Sequence, residues 1–160
     1  MTKAQDKTNV MRVLDQKKAV YRSYYYETDG TLTGSEIAEM LGLPKERVFK
    51  TLVCTGKTNN KYVFVIPVEE ELDLKKAAKS VGEKSMEMLK SKDLLPTTGY
   101  IHGGCSPIGM KKFFKTTVHS SAKDMETIFF SAGRIGAQVE MSPKTLENII
   151  KLQYADVIVS

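Results

Sequence analysis

The chain has 160 residues, of which 41% are hydrophobic and 27% are charged. These values exclude a disordered or fibrous chain, and the length predicts one domain over residues 1–160. No apolar run approaches the roughly 20 residues of a membrane span, and no apolar segment follows the charged N-terminus, so we expect no secretory signal and a cytoplasmic location. The formal net charge of +5 is compatible with an anionic partner but is weak evidence by itself.

Histidine and cysteine are scarce, which limits the possible chemistry. The chain has two histidines, His102 and His119, and two cysteines, Cys54 and Cys105. They form no C-x-x-C or H-x-x-x-H motif, so we expect no metal site and no cofactor. Neither histidine accompanies a G-x-S-x-G nucleophile motif. An enzyme of this composition would work without a conventional catalytic triad or a metal ion.

Hydrophobic spacing and capping residues predict helices and strands along the whole chain. In chain order, the predicted elements are a helix over 10–17, a strand over 20–27, a short helix that follows Thr33 and ends near Gly42, a β-hairpin over 48–54 and 62–66, a helix over 74–81, a short strand over 83–88, a short helix over 91–95, strands over 116–119, 128–131 and 138–141, and a last helix after Ser142. The total is about six or seven strands and five helices. Strands occur in adjacent pairs and also beside helices, so the predicted fold class is mixed α/β, with a strongly curved mixed sheet and helices packed outside.

Lys50 interrupts the most apolar predicted strand. Alternation within residues 48–54 puts Lys50 on the same face as Val48 and Leu52, and both faces are largely apolar, which indicates a central strand. A buried lysine is costly unless it has an anionic partner or opens into a pocket. Two interpretations stay open: Lys50 lies at a strand end and reaches water, or its charge is held in a cleft for a phosphate or carboxylate.

Residues 97–112 are predicted to form a glycine-rich loop. The pair Gly103 and Gly104 lets backbone N–H groups approach a ligand, and such groups hold an oxyanion or a phosphate. A tight crossover loop is the alternative interpretation. We interpret His102 as a partly exposed loop histidine and Cys105 as a structural thiol, because neither has an evident catalytic partner in the sequence.

Residues 111–115 have the sequence Lys-Lys-Phe-Phe-Lys. Lysines interleaved with aromatic residues suit a nucleic-acid backbone and a stacked base, but the preferred interpretation is a strand with apolar residues inward and solvated lysines. The basic excess of the chain is mostly lysine. The arginines are Arg12, Arg22, Arg47 and Arg134. This composition permits loose contact with phosphates and disfavours dense reading of base edges.

Four segments taken together resemble a known family. They are residues 48–52 (Val-Phe-Lys-Thr-Leu), residues 67–76, residues 98–109 with Gly103-Gly104-Cys105-Ser106-Pro107, and residues 131–136 (Ser-Ala-Gly-Arg-Ile-Gly). In this order and spacing, over residues 10–158, the chain resembles the YbaK family of aminoacyl-tRNA deacylases, and in particular its free-standing Cys-tRNA(Pro) deacylase branch. That family is related to the editing domain of bacterial prolyl-tRNA synthetases.

The resemblance implies a fold, an activity and partners. The fold is a mixed, barrel-like β-sheet surrounded by helices. The activity is hydrolysis of the ester that joins a mischarged amino acid to the 3′-terminal ribose of tRNA, which is needed because size alone discriminates poorly between similar amino acids. The implied partners are aminoacyl-tRNA, through the tRNA(Pro) acceptor end, and prolyl-tRNA synthetase. The resemblance also implies that the thiol of the cysteine substrate attacks its own ester, so that the enzyme supplies position and electrostatics without a cofactor.

The resemblance also implies site residues. Lys50 would hold the acceptor end of the tRNA, and Gly103 would orient the ester carbonyl, as the two catalytic positions. The implied substrate-binding residues are Tyr26, Thr51, Gly104, Ser131, Gly133 and Gln138. The branch usually has Asp where this chain has Gln138, and Phe where it has Thr33, and an amide keeps hydrogen-bonding capacity but loses the charge. The specificity therefore stays open between cysteine and alanine or another small amino acid.

Two other functions stay open at this point. The first is a non-catalytic module that binds tRNA or a nucleotide in association with a synthetase, and Gln138 in place of the usual Asp motivates it. The second is a small-molecule hydrolase that uses Cys105, which has the least support.

Overall fold

The computed structural model describes residues 6–160. Residues 1–5, which are part of the N-terminus on which the signal prediction depends, lie outside this range. The elements in chain order are α1 (Asn9–Gln16), β1 (Arg22–Tyr25), α2 (Gly34–Leu41), β2 (Phe49–Gly56), β3 (Lys61–Pro67), α3 (Leu74–Val81), β4 (Met86–Met88), α4 (Ser91–Thr98), β5 (Lys115–His119), β6 (Ile128–Ser131), β7 (Ala137–Met141), α5 (Pro143–Ile149) and β8 (Gln153–Ala155), with 3-10 helices over Lys45–Arg47 and Ser120–Asp124.

The helix ends follow the predicted capping chemistry. The Thr33 hydroxyl accepts the Glu36 backbone N–H at 3.1 Å, and the Glu36 carboxylate accepts the Thr33 N–H at 3.0 Å, which forms a capping box at the predicted start of α2. Gly42 ends α2 in the left-handed conformation. Asp73 and Ser142 accept backbone N–H groups in the first turns of α3 and α5. The local sequence therefore determines where these helices begin.

The strands form two sheets that meet beside β2. One sheet has the order β4-β2-β3-β5-β8, in which β4, β2 and β3 pair antiparallel and β3, β5 and β8 pair parallel. The other has the antiparallel order β1-β7-β6. A parallel bridge between Val48 and Phe129 joins β2 to β6. The predicted mixed α/β class and the central position of β2 are confirmed, although the strands form two sheets instead of one closed barrel.

Three apolar clusters fix the position of the sheets. The main core combines one face of each sheet with α1 and α5. A second cluster packs α3 against the other face of the five-stranded sheet, and a third packs Ala38 of α2 on Val48 and Phe129. Lys50 lies on the outer face of β2, between Val48 of the third cluster and Cys54 of the second. This gap between two apolar clusters explains why a charged residue interrupts the strand.

Several predicted elements differ from the structure. Residues 111–114 are not a strand, because β5 begins only at Lys115; Phe113 is 58% exposed while Phe114 is buried, so the preferred interpretation of this segment was wrong. Strand β8 was not predicted, and α4 continues to Thr98 through Pro96. No helix described within residues 6–160 is long and apolar enough to cross a membrane.

Candidate functional site

The site lies on one face of four neighbouring strands. The bridge between Val48 and Phe129 sets β2 parallel to β6, and two residues further along each strand the same face carries Lys50 and Ser131. Ser131 pairs with Gln138 of β7. The geometry therefore brings together Lys50, Ser131 and Gln138, which lie far apart in the sequence.

The first strand of the smaller sheet completes this face. Tyr24 of β1 pairs with Gln138, and Tyr26 follows two residues later on the same side of the chain. The Tyr26 backbone N–H donates to the Gly136 carbonyl at 3.0 Å, which holds the end of β1 against the turn between β6 and β7. Tyr26 thus borders the same face as Lys50.

Lys50 is a half-buried cation without a hydrogen-bond acceptor or ion-pair partner among residues 6–160. Burial lowers the pKa of Lys50, while the nearby carboxylates of Glu71 and Glu70 oppose that shift. The structure therefore combines features of both interpretations of Lys50. It lies near the beginning of a strand, and its charge is partly desolvated without a direct partner.

Three buried side-chain oxygens lack a hydrogen-bond partner among the described residues. They are the Tyr26 hydroxyl, the Thr51 hydroxyl and the Gln138 carbonyl oxygen Oε1. A buried polar group without a partner costs about 1–3 kcal/mol, so such groups are rare unless a ligand or water satisfies them. All three residues also belong to the substrate-binding set that the sequence resemblance implies.

Thr51 does not share the face of Lys50. The two residues are adjacent in β2, so their side chains point to opposite sides of the sheet. Phe49 and Val53, which flank Thr51 on its own face, belong to the main core. Thr51 therefore lies on the core face of β2, and its hydroxyl is not on the face that carries Lys50, Ser131 and Gln138.

The two glycines of the loop differ in the availability of their N–H groups. The Gly104 N–H donates to the Ile101 carbonyl at 3.0 Å, whereas the Gly103 N–H has no acceptor among residues 6–160. Gly103 has φ +86°, a conformation that favours glycine, and an added Cβ would lie 3.6 Å from Ile135. Of the two, Gly103 is the glycine whose N–H remains available to a ligand.

The turn after β6 fixes the hydroxyl of Ser131. Its Oγ accepts the Gly133 N–H at 3.1 Å, so the hydroxyl hydrogen stays free to donate. Gly133 has φ +93°, and an added Cβ would lie 2.9 Å from Val10 and 3.0 Å from Tyr100. A larger residue at this position would displace the turn, so Gly133 supports the site through the backbone.

A polar network beside the site was not predicted. Glu140 accepts hydrogen bonds from the hydroxyls of Tyr24 and Thr127 and lies 3.6 Å from the Arg47 guanidinium. Burial would raise the pKa of Glu140, but the bonds from Thr127 and Tyr24, together with Arg47, outweigh it and lower that pKa. Arg47 also lies over the Phe129 ring, 5.3 Å from its centroid. No sequence signal joins these residues, since the network depends on strand register.

The histidines and cysteines do not form a nucleophilic site. Burial raises the pKa of the Cys105 thiol to about 12, so a thiolate is disfavoured at neutral pH. This disfavours a hydrolase that uses Cys105. His119 is buried and accepts the Val157 N–H through Nδ1 at 3.3 Å, which is a structural role, and His102 lies exposed in the glycine-rich loop.

Comparison with known proteins agrees with this architecture. Residues 28–149 match the family described as the aminoacyl-tRNA editing domain. The chain is 46% identical over 156 residues to EbsC of Enterococcus faecalis, which is provisionally named a Cys-tRNA(Pro)/Cys-tRNA(Cys) deacylase, and this match covers 97% of the chain and 95% of EbsC. This chain belongs to the aminoacyl-tRNA editing domain family.

Two further similarities are more distant. The chain is 27% identical over 84 residues to a proline–tRNA ligase of Fervidobacterium nodosum, which covers 52% of this chain and 14% of the ligase. A crystal structure of a provisionally assigned trans-editing enzyme for prolyl-tRNA synthetase superposes on this chain with a TM-score of 0.80 at 21% identity. The superposition covers 97% of this chain and 100% of that one. At that identity the superposition shows a shared fold.

Proposed function

We propose that this chain is an aminoacyl-tRNA deacylase that hydrolyses Cys-tRNA(Pro), with Lys50 and Gly103 positioning the acceptor end of the tRNA. One observation carries the proposal: the Lys50 ammonium and two buried oxygens, those of Tyr26 and Gln138, border one face of the sheet and have no partners among residues 6–160. The identity to EbsC and the match to the editing domain family support the reaction class.

The chemistry of the site suits an aminoacylated ribose. Such a substrate offers hydroxyl groups, an amino group and an ester carbonyl within a few ångströms of one another. In the proposed complex, Gln138 Oε1 accepts a hydrogen bond from the substrate, and the Tyr26 and Ser131 hydroxyls contact its polar groups. Lys50 provides positive charge near the ester and the terminal phosphate, and the Gly103 N–H donates to the carbonyl oxygen.

The proposed reaction uses the thiol of the substrate. The cysteine sulfur, as a thiolate, attacks the ester carbonyl carbon; a C–S bond forms and the C–O bond to the ribose breaks. The ribose oxygen leaves with the electron pair and takes up a proton, and water then opens the thiolactone to free cysteine. Lys50 and Gly103 stabilise the negative charge that develops on oxygen, while the site holds the sulfur near the carbonyl.

The setting of the reaction is part of the proposal. The similarity to a segment of a proline–tRNA ligase supports prolyl-tRNA synthetase as a partner that supplies the mischarged tRNA. We also infer a cytoplasmic location, because aminoacyl-tRNA is made and used there.

A panel of aminoacyl-tRNA substrates tests the proposal. Purified protein is incubated with tRNA(Pro) charged with cysteine, serine or alanine, and the remaining ester is measured over time. We expect rapid loss of the cysteine ester and much slower loss of the serine ester, since a hydroxyl is a poorer nucleophile than a thiol. Equal rates for all three substrates would contradict the thiol mechanism, although the protein would still be a deacylase.

The non-catalytic binding module is the second candidate, favoured by the uncharged Gln138 where the resembled branch has Asp. It predicts that tRNA binds without turnover. If the protein binds charged tRNA(Pro) but leaves all three esters intact, while a control deacylase cleaves them, the deacylase proposal is wrong and the binding module is preferred.

A further inference from the structure

The segment that was wrongly predicted as a strand lines an open groove of about 750 Å³. The groove lies between residues 59–62, at the hairpin end of β3, and residues 111–115, before and at the start of β5. We call it the basic groove. The residues that characterise it are Lys61, Lys111, Lys112, Phe113 and Lys115.

The basic groove carries positive charge that no carboxylate neutralises. None of its lining residues is Asp or Glu, and within residues 6–160 none of its lysines has an acidic ion-pair partner. Lys61 donates to the carbonyl and side-chain oxygens of Asn59, and Lys111 lies 3.4 Å from the Pro96 carbonyl. These neutral contacts orient the ammonium groups and leave their charge available to an anion.

An exposed aromatic ring accompanies this charge. Phe113 is 58% exposed although its neighbour Phe114 is buried, and the Lys112 ammonium lies 5.5 Å from the centroid of the Phe114 ring. An exposed aromatic side chain among lysines offers a stacking surface beside phosphate contacts, which is the combination that binds single-stranded nucleic acid.

The basic groove and Lys50 lie at opposite ends of the hairpin. Lys50 pairs with Ile66 and Thr55 pairs with Lys61, so five residues of strand, or about 17 Å, separate the two regions along β2. Lys61 lies on the face that packs into the main core, whereas Lys50 lies on the opposite face, part of which α3 covers. A tRNA that contacts both regions must therefore pass around the edge of the sheet.

We propose that the basic groove binds the phosphodiester backbone of tRNA at a distance from the ester, with Phe113 stacking on one base. The inference rests on the proposed function, because it takes the tRNA held at Lys50 as its ligand. The groove contributes affinity, and the face with Lys50 carries out the reaction.

The test compares two pairs of lysines. The variant Lys111→Gln/Lys112→Gln loses two charges in the basic groove, and Lys75→Gln/Lys79→Gln loses two exposed charges on α3. Binding of unacylated tRNA(Pro) transcript is measured by fluorescence anisotropy over a series of salt concentrations, after circular dichroism has verified that each variant is folded. We expect about tenfold weaker binding for the groove variant and a salt slope reduced by about 1–2, with little change for the α3 variant.

A second variant and the turnover assay keep the outcomes distinct. Phe113→Ala should weaken tRNA binding roughly fivefold or more without changing the salt slope, because it removes stacking and no charge. In deacylation, the groove variant should lose activity mainly through a higher KM. If both groove variants bind tRNA like the unmodified protein, the inference is wrong whatever the turnover. If both variants bind weakly and the unmodified protein cleaves no ester, the inference about the groove is supported and the proposed deacylase activity is wrong.

Discussion

The polar groups at the two ends of the β2–β3 hairpin differ in whether they have hydrogen-bond partners. At the turn end, the Glu83 carboxylate accepts hydrogen bonds from the backbone and the hydroxyl of Thr58 and from the Tyr62 hydroxyl. The packing there is so close that a Cβ added to Gly56 would lie 2.3 Å from the Glu83 side chain. At the other end, the Lys50 ammonium has no partner among the described residues.

The contrast separates a structural network from a binding site. Groups that satisfy one another stabilise the fold and offer nothing to a ligand. The half-buried Lys50 ammonium and the buried oxygens of Tyr26 and Gln138 have no partners among residues 6–160, and such groups reduce stability until a ligand satisfies them. Substitutions at the turn end should therefore change stability, and those at the Lys50 end should change activity.

Lys50→Ala should give the largest effect. Loss of a charge that stabilises developing negative charge on oxygen should lower deacylation by about 10²–10³-fold. Because burial lowers the pKa of Lys50, the charged form of Lys50 is less favourable in the folded state than in the unfolded state. Below the folded-state pKa this charge reduces the free energy of unfolding, so the variant should unfold at an unchanged or higher temperature. The rate is measured with Cys-tRNA(Pro), and the midpoint by thermal unfolding.

Lys57→Ala is the matched control at the turn end of the same hairpin. Lys57 is exposed, and its removal should change the rate by less than about twofold. Equal rates for Lys50→Ala and the unmodified protein would show that the reaction occurs elsewhere.

Removal of one phenolic oxygen should have opposite effects on stability at the two ends. Tyr26→Phe removes a buried hydroxyl without a partner, so we expect unchanged stability or a gain of up to about 1 kcal/mol, with roughly fivefold lower kcat/KM. Tyr62→Phe removes a donor to Glu83 and should lower the free energy of unfolding. Urea unfolding measures both. A clear loss of stability in Tyr26→Phe would mean that its hydroxyl has a structural partner.

Glu83→Gln should remove a pH-dependent part of the stability. Hydrogen bonds from Thr58 and Tyr62 lower the pKa of Glu83, so its contribution is present above the unfolded-state pKa and is lost as pH falls through the folded-state pKa. The thermal midpoints of variant and unmodified protein should differ at neutral pH and converge in acid, below the ordinary pKa of a glutamate. Glu87→Gln, an exposed position in β4, should show no such convergence.

Glu71→Gln should give the smallest effect, on the pH profile of the rate. Glu71 favours the charged form of Lys50, so the variant should lose activity at a lower pH than the unmodified protein on the alkaline side. Rates are corrected for spontaneous ester hydrolysis at each pH. Glu126→Gln, at an exposed position, should not change the pH profile. An unshifted profile in Glu71→Gln would show that Glu71 does not affect the ionisation of Lys50.

Local signals predicted much of the fold. Thr33, Asp73 and Ser142 cap helices where the sequence placed them, because a cap depends on residues within one turn. The β2–β3 hairpin was equally evident, since its strands are adjacent in the sequence. Strand β8 and the irregular segment before β5 were missed, since pairing with β5 defines the first and tertiary contacts override Lys–Phe alternation in the second.

The candidate site was predicted only as separate residues. The apolar alternation of residues 48–54 singled out Lys50, and the resemblance added Ser131 and Gln138, but their shared face follows from the register between β2, β6 and β7. The position of Thr51 on the opposite face and the occupied N–H of Gly104 were not evident either. Such distinctions depend on strand pairing and on individual hydrogen bonds.

The sequence by itself determined the family, the helix starts and a lysine within an apolar strand, because motifs, caps and alternation are properties of neighbouring residues. Only the tertiary structure decided which polar groups lack partners and which lysines and aromatics line one groove. Those properties arise when distant segments pack together, since burial and strand register belong to the folded chain and not to any short stretch of it.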